Sequence, residues 1–208
     1  LTHERSEACA ALGAARVPRP GAARCYPCRL TAAAAWLARL DRRLRYMQAC
    51  ALEAPRAVWL GALFRPDAFV RRLQLGHAVR RGLAPGEWGR VQLRVGAPGA
   101  PDAAPAEGAL VEGLLLEGAE WDAARSALRP PSGDRPHVAL PTVHLAPALA
   151  APGSQHGVAC PVYRHPRTAD GGEPHDTLVG TCLVDVAQWS AARWVLAGVA
   201  LLLDEVDE

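Results

Sequence analysis

Cys25-Tyr26-Pro27-Cys28 places two thiols at the spacing that forms half of a zinc site. A tetrahedral centre needs two more ligands converging on it, but Cys9, Cys50, Cys160 and Cys182 are scattered singly, so no metal is expected. His165, His175 and Asp176 fall in a stretch rich in Pro and Gly, where turn-forming and charged residues are ordinary. Glu117, Glu120 and Asp122, grouped around Trp121, are the carboxylates that could serve as an acid and base pair. That chemistry requires a set separation in a cleft and surroundings that tune the two groups apart, and neighbouring positions in sequence supply neither. No GxSxG, HExxH or GxGxxG pattern occurs. The 208 residues include no Lys, which excludes a phosphate-binding GxxxxGK[ST] loop and any Lys Schiff base. No catalytic, cofactor-binding or metal-binding residue is therefore assigned.

The composition bounds the remaining possibilities. Half the residues are hydrophobic, enough for a core in one domain or two small ones sharing an interface. Lys, Asn and Ile are absent while Ala, Gly, Arg and Pro abound, the mark of a GC-rich coding sequence, so the Arg content is no footprint of nucleic acid. The 23 basic residues stand against 21 acidic ones, a net charge of +2, and no basic binding fold is apparent. Six Cys in a sequence of this length read as free thiols in a reducing compartment. With Leu1 at the start and no signal or membrane segment, the sequence reads as a cytosolic fragment or processed product.

Residues 1–23, with Pro18, Pro20 and Gly21, are expected to be an irregular lead-in. From Thr31, a possible N-cap, to about Glu53, Leu37, Leu40, Leu44 and Met47 recur at three and four residues. Arg39, Arg42 and Arg43 lie on the other side, so this is one long amphipathic helix with a solvated Arg stripe, or a stripe that meets an acidic neighbour. Pro55 breaks it. Arg65-Pro66-Asp67 opens a second helix with Phe69, Leu73, His77 and Arg80 along one side, and His77 reads as a histidine at the core's edge.

Beyond residue 90 the period changes to two. Val91 to Val95 alternates, and further strand candidates are Ala109 to Leu116, His137 to Leu145, Val158 to Tyr163, Thr177 to Val186 and Trp194 to Leu203. The last is an uncharged run of ten residues, too short for a bilayer, and suits either a doubly covered strand or a short core helix. About six strands after helices predict an α+β fold with an antiparallel sheet or open barrel.

Several segments in one order resemble the closing region of dynein heavy chains, the axonemal ones in particular. Cys25-Tyr26-Pro27 precedes a helix bearing Trp36-Leu37-Ala38-Arg39-Leu40, similar to the family's Tyr-Pro entry into WVxDL-like text. Val58 to Phe64 with Pro66-Asp67-Ala68-Phe69 resembles WLGGLFxPxAF, and Gly113 to Asp122 resembles GLFLEGARWD. Leu140 to Leu145 resembles LPVIHL, Cys160 to Arg164 resembles CPVYK, and Trp194 to Leu203 resembles the closing segment. The sequence departs from the pattern at Ala62, Leu115 and Glu120, the last reversing the charge of the family's Arg.

The resemblance implies a C-terminal domain of helices, residues 24–90, followed by an incomplete six-stranded β-barrel, residues 91–208. It also implies a domain with no nucleotide site of its own, packed on the AAA+ ring whose ATP and Mg drive the motor. Its role would be to modulate motility on ciliary microtubules, with neither nucleic acid nor membrane as partner. Trp59, Phe64, Phe69, Trp121 and Trp194 are the candidate core or interface anchors, because aromatic side chains bury large areas. The rival expectation is a free-standing module of the same fold, docking on an axonemal or cytoskeletal partner.

Overall fold

The computed structural model describes residues 33–99, 105–133, 137–150, 157–164 and 178–204. Cys25-Tyr26-Pro27-Cys28, the lead-in, the Thr31 cap, His165, His175, Asp176 and the acidic tail lie outside the described residues, as does the Trp36 side chain. The protein divides into two compact units. One holds the described residues up to Pro55 together with Ala62–Phe64; the other holds Arg56–Gly61 and the described residues from Arg65 onward.

The first unit is built on helix α1, Ala33–Leu52. Its sequence from Ala33 carries no Gly, Pro or Thr, and strong helix formers dominate it. Arg42 is exposed and Leu40 half-buried, as a solvated Arg stripe opposite an apolar face requires, but other positions depart from expectation. Leu44 is 47% exposed, and Leu37 and Met47 are exposed with it, whereas Arg43 is only 4% exposed. The Arg43 guanidinium donates from Nε to the Ala62 carbonyl at 3.2 Å and from Nη2 to the Leu63 carbonyl at 3.3 Å, and it lies 4.9 Å from the Phe64 ring centroid. At this residue the solvated stripe is replaced by a buried cation satisfied by backbone carbonyls. A guanidinium tolerates burial when its fork finds acceptors and its flat face finds an aromatic ring.

Among the described residues the second unit holds eleven strands: β1 (Ala57–Trp59), β2 (Val91–Gly96), β3 (Ala109–Glu112), β4 (Leu114–Glu117), β5 (Glu120–Asp122), β6 (Ala127–Arg129), β7 (His137–Ala139), β8 (Val143–Leu149), β9 (Gly157–Tyr163), β10 (Leu178–Val186) and β11 (Ala200–Leu203). Their order is β1-β3-β8-β2-β10-β9-β11-β4-β7, with β6 beside β10 and β5 beside β6. The α+β class holds. The expectation of six antiparallel strands is corrected to eleven strands, among the described residues, in a mixed sheet that does not close. The pairs β1/β3, β10/β2, β10/β6 and β11/β9 are parallel. Alternation in sequence reports which face is buried; it is blind to the direction of the neighbouring strand.

β3 and β4 form one continuous stretch bent at Gly113, where φ is +72°. The first half pairs with β8 and the second with β11, so a single bend serves two parts of the sheet. Helix α2, Pro66–Arg80, lies across β2, β8 and β10. Pro66 occupies its first turn as expected, and Val70, His77 and Ala78 are buried under it. The core is aliphatic, with Leu93, Leu116, Leu128, Leu145, Leu201 and Leu202 almost wholly enclosed.

The closing run divides in two. Ala191–Leu196 forms helix α3, and β11 begins at Ala200. Ser190 caps the helix by accepting from the Arg193 amide through its side chain. At the far end Gly198, with φ at +70°, lets its own amide reach the Val195 carbonyl and the Val199 amide reach the Trp194 carbonyl. That paired closure is the Schellman arrangement, which favours Gly at this position. Helix and strand therefore share the run, and each alternative read from periodicity accounts for half of it.

Candidate functional site

Trp59 and Trp194 are buried, Phe69 and Trp121 are half-buried, and Phe64 is exposed at 42% beneath the Arg43 guanidinium. The five aromatics thus differ in burial. Trp59 lies against Gly113, where an added Cβ would sit 2.3 Å from its Cδ1. The same corner ties β11 to the β3–β4 bend, because the Asp204 amide donates to the Gly113 carbonyl at 2.8 Å. Trp194 packs beside Trp189, ring centroids 4.6 Å apart, and the Arg193 guanidinium lies 4.0 Å over the Trp189 ring. Arg193 fixes the outer aromatic while Trp194 fills the core.

The carboxylates around Trp121 have separate partners. Glu120 pairs with Arg129 directly across β5 and β6 and accepts hydrogen bonds from the Ser132 amide and hydroxyl. The Ser132 bonds, with Arg129 adding to them, hold its carboxyl below the usual range. Asp122 accepts from the Ala124 and Arg125 amides, and the Arg125 amide bond leads in keeping its carboxyl low. A general acid needs the opposite tuning. The charge reversal at Glu120 is met by Arg129, so the departure from the family pattern is balanced within one hairpin.

His77 is enclosed under α2, where its Nδ1 donates to the Glu107 carboxylate at 2.8 Å. The Arg80 guanidinium approaches the same carboxylate at 3.8 Å, and His144 Nε2 donates to the Glu107 carbonyl at 2.7 Å. Glu107 therefore fastens α2 and β8 to the turn before β3, which gives both histidines a structural task. Among the described residues no group of three or more His, Cys, Asp or Glu is placed to hold a metal ion. No described helix is long and apolar enough to cross a membrane.

Sequence reasoning missed Arg43, Gly113, Ser190 and Gly198. Ser190 and Gly198 carried readable signals, a Ser and a Gly bracketing one helical stretch. Arg43 carried none, since its carbonyl acceptors lie about twenty residues away.

The buried cysteines set an alkaline limit. Cys160 and Cys182 are free, and burial pushes both thiols up to about 12, with Cys182 adding to the effect on Cys160. An unfolded thiol releases its proton near 9. Between 9 and about 12 the unfolded protein therefore binds fewer protons than the folded one, so stability is intact below 9 and falls as pH rises towards 12. Urea midpoints taken from pH 8 to 10.5 are expected to fall steeply in the native protein and much less in Cys160→Ala/Cys182→Ala.

The described residues show an α+β fold with an aliphatic core in the second unit, an apolar face exposed on α1 of the first, and Glu120 and Asp122 tied into local pairs. The family model for the C-terminal domain of dynein heavy chains matches residues 1–203, and the protein belongs to that family. It is 35% identical over 156 residues to the dynein alpha chain of the flagellar outer arm of Chlamydomonas reinhardtii, an alignment that spans 73% of this protein and 3% of that one. Over 192 residues it is 31% identical to dynein axonemal heavy chain 17 of Homo sapiens, spanning 90% of this protein and 4% of the relative. The ciliary dynein beta chain of Heliocidaris crassispina is 29% identical over 208 residues, 98% of this protein and 4% of the relative. The sequence thus spans only a few per cent of the length of these relatives.

Proposed function

We propose that this domain serves an axonemal-type dynein heavy chain as a bracing element that packs on the AAA+ ring and modulates ATP-driven movement along microtubules. In this reading it has no catalytic site of its own, ATP and Mg belong to the ring, and the protein resides in the cytoskeleton of a cilium or flagellum. Residues 24–90 and 91–208 act as its helical and β parts, and the β3–β4 bend draws the strands towards an incomplete barrel. Neither nucleic acid nor membrane is a partner.

The observation that carries the reading is the apolar stripe of α1. Leu37, Leu44 and Met47, at spacings of seven and three, are exposed on a helix whose Arg43 is turned inward. A helix that buries a cation while presenting Leu and Met outward suits contact with another protein surface.

The test is Leu44→Glu with Met47→Glu introduced together into a dynein heavy chain that includes this segment, with microtubule gliding velocity, run length and ATPase rate as readouts. A change in velocity or run length with the ring's ATP binding retained is the expected result. Unaltered velocity, run length and ATPase in a folded double variant would remove the basis for bracing through this face.

A further inference from the structure

Cys160 and Cys182 occupy directly opposed positions on the antiparallel pair β9/β10. Opposed residues on such a pair have Cβ atoms about 4.5–5.5 Å apart and project on the same side of the sheet. A disulfide needs Cα atoms about 4.4–6.8 Å apart and Cβ atoms about 3.5–4.5 Å apart, so sub-ångström adjustment closes the gap. Both thiols are reduced, and both sit on the buried face, at 0% and 1% exposure. Leu93, wholly enclosed, is the residue beside Cys182 on the other flank, in β2.

We propose that Cys160 and Cys182 form an oxidisable dithiol site, which a peroxide closes to a cross-strand disulfide when β9 and β10 part locally. One thiolate attacks a peroxide oxygen and becomes a sulfenic acid as the O–O bond breaks and the first water leaves. The second thiolate attacks the sulfenic sulfur, the S–S bond forms, and the hydroxyl leaves as the second water. Two thiols and one hydrogen peroxide thus yield one disulfide and two waters, the sulfurs losing two electrons to the peroxide oxygens.

Access controls the reaction. Enclosed thiols kept protonated by burial are poor nucleophiles, so the closed sheet protects the pair. The β9/β10 register is irregular between Leu178 and Gly180, two residues from Cys182, and an irregular ladder is a natural place for opening to begin. Once formed, the bond joins β9 to β10 at the middle of the sheet, and a thiol reductant restores the open pair.

The experiment uses the 208-residue protein with Cys9, Cys25, Cys28 and Cys50 replaced by Ser, treated with hydrogen peroxide in increasing sub-denaturing urea. The expected product has lost two hydrogens by intact mass and yields a peptide joining Cys160 to Cys182. Both thiols should disappear together, faster as urea rises, and return with dithiothreitol. In the companion Cys160→Ser variant, Cys182 should over-oxidise to sulfinic acid. Separate sulfinic acids at both positions in the protein that keeps the pair would overturn the proposal, as would two thiols that stay reduced across the whole urea range.

Discussion

Gly113→Val is expected to lower the free energy of unfolding by about 4 kcal/mol, a loss that urea unfolding followed by circular dichroism would read directly. Two effects add. The φ of +72° is a left-handed conformation that a β-branched residue adopts at a cost on the order of 1–3 kcal/mol. A Cβ at this position would also lie 2.3 Å from Trp59 Cδ1 and 2.6 Å from its Nε1, and overpacking of that kind costs typically about 1–3 kcal/mol. Gly113→Ala separates the terms. Measured with native Trp59 it should carry both, and in a Trp59→Ala background it should retain only the backbone strain. Equal costs in the two backgrounds would show that the indole does not press on this glycine.

Trp194→Ala should be comparably severe, about 3–5 kcal/mol, because the side chain is wholly enclosed and its removal leaves a large void beneath α3. Trp194→Phe sharpens the expectation. The indole Nε1 is buried without a hydrogen-bond partner among the described residues, so replacing it forfeits no bond and should cost much less than the alanine change. Thermal unfolding of the two variants side by side checks this, and a phenylalanine as damaging as alanine would point to an unseen partner for the ring nitrogen.

What the sequence made legible was local. The break at Pro55, the start at Pro66 and the alternation of Val91 to Val95 each depend on residues within a few positions, and each appears where expected. Helix α1 ends within a residue or so of its expected limit, and Arg42 is exposed as expected, yet Arg43 is buried while Leu37, Leu44 and Met47 are exposed. Heptad-like spacing shows that Leu37, Leu44 and Met47 share a face, but what lies opposite that face is a matter of tertiary contact. Arg43 is buried because Ala62 and Leu63 bring their carbonyls to it, a contact without a local signature.

Strand direction was likewise hidden. β10 runs parallel to β2 across a separation of some ninety residues, and β1 finds β3 some fifty residues later. The family motifs fared differently, because two of them mark places that the fold brings together. The Trp59 and Gly113 segments, some fifty residues apart, meet at a single contact. Trp59 and Trp194 are buried, and the most exposed large apolar residues among those described, Leu52 at 90% and Leu196 at 88%, bear no mark of that exposure in residue type.

The position of β11 within the sheet has a consequence for biosynthesis. This strand is the last one described in sequence order, yet it lies between β9 and β4, parallel to the first and antiparallel to the second. Until Ala200–Leu203 have cleared the ribosomal exit tunnel, β9 and β4 both present open edges that invite pairing with a foreign strand. The nascent domain is thus a pair of half-sheets waiting for four residues, and a stop codon just upstream of Ala200 would release a sticky, unzipped product whose natural fate is a chaperone or a protease.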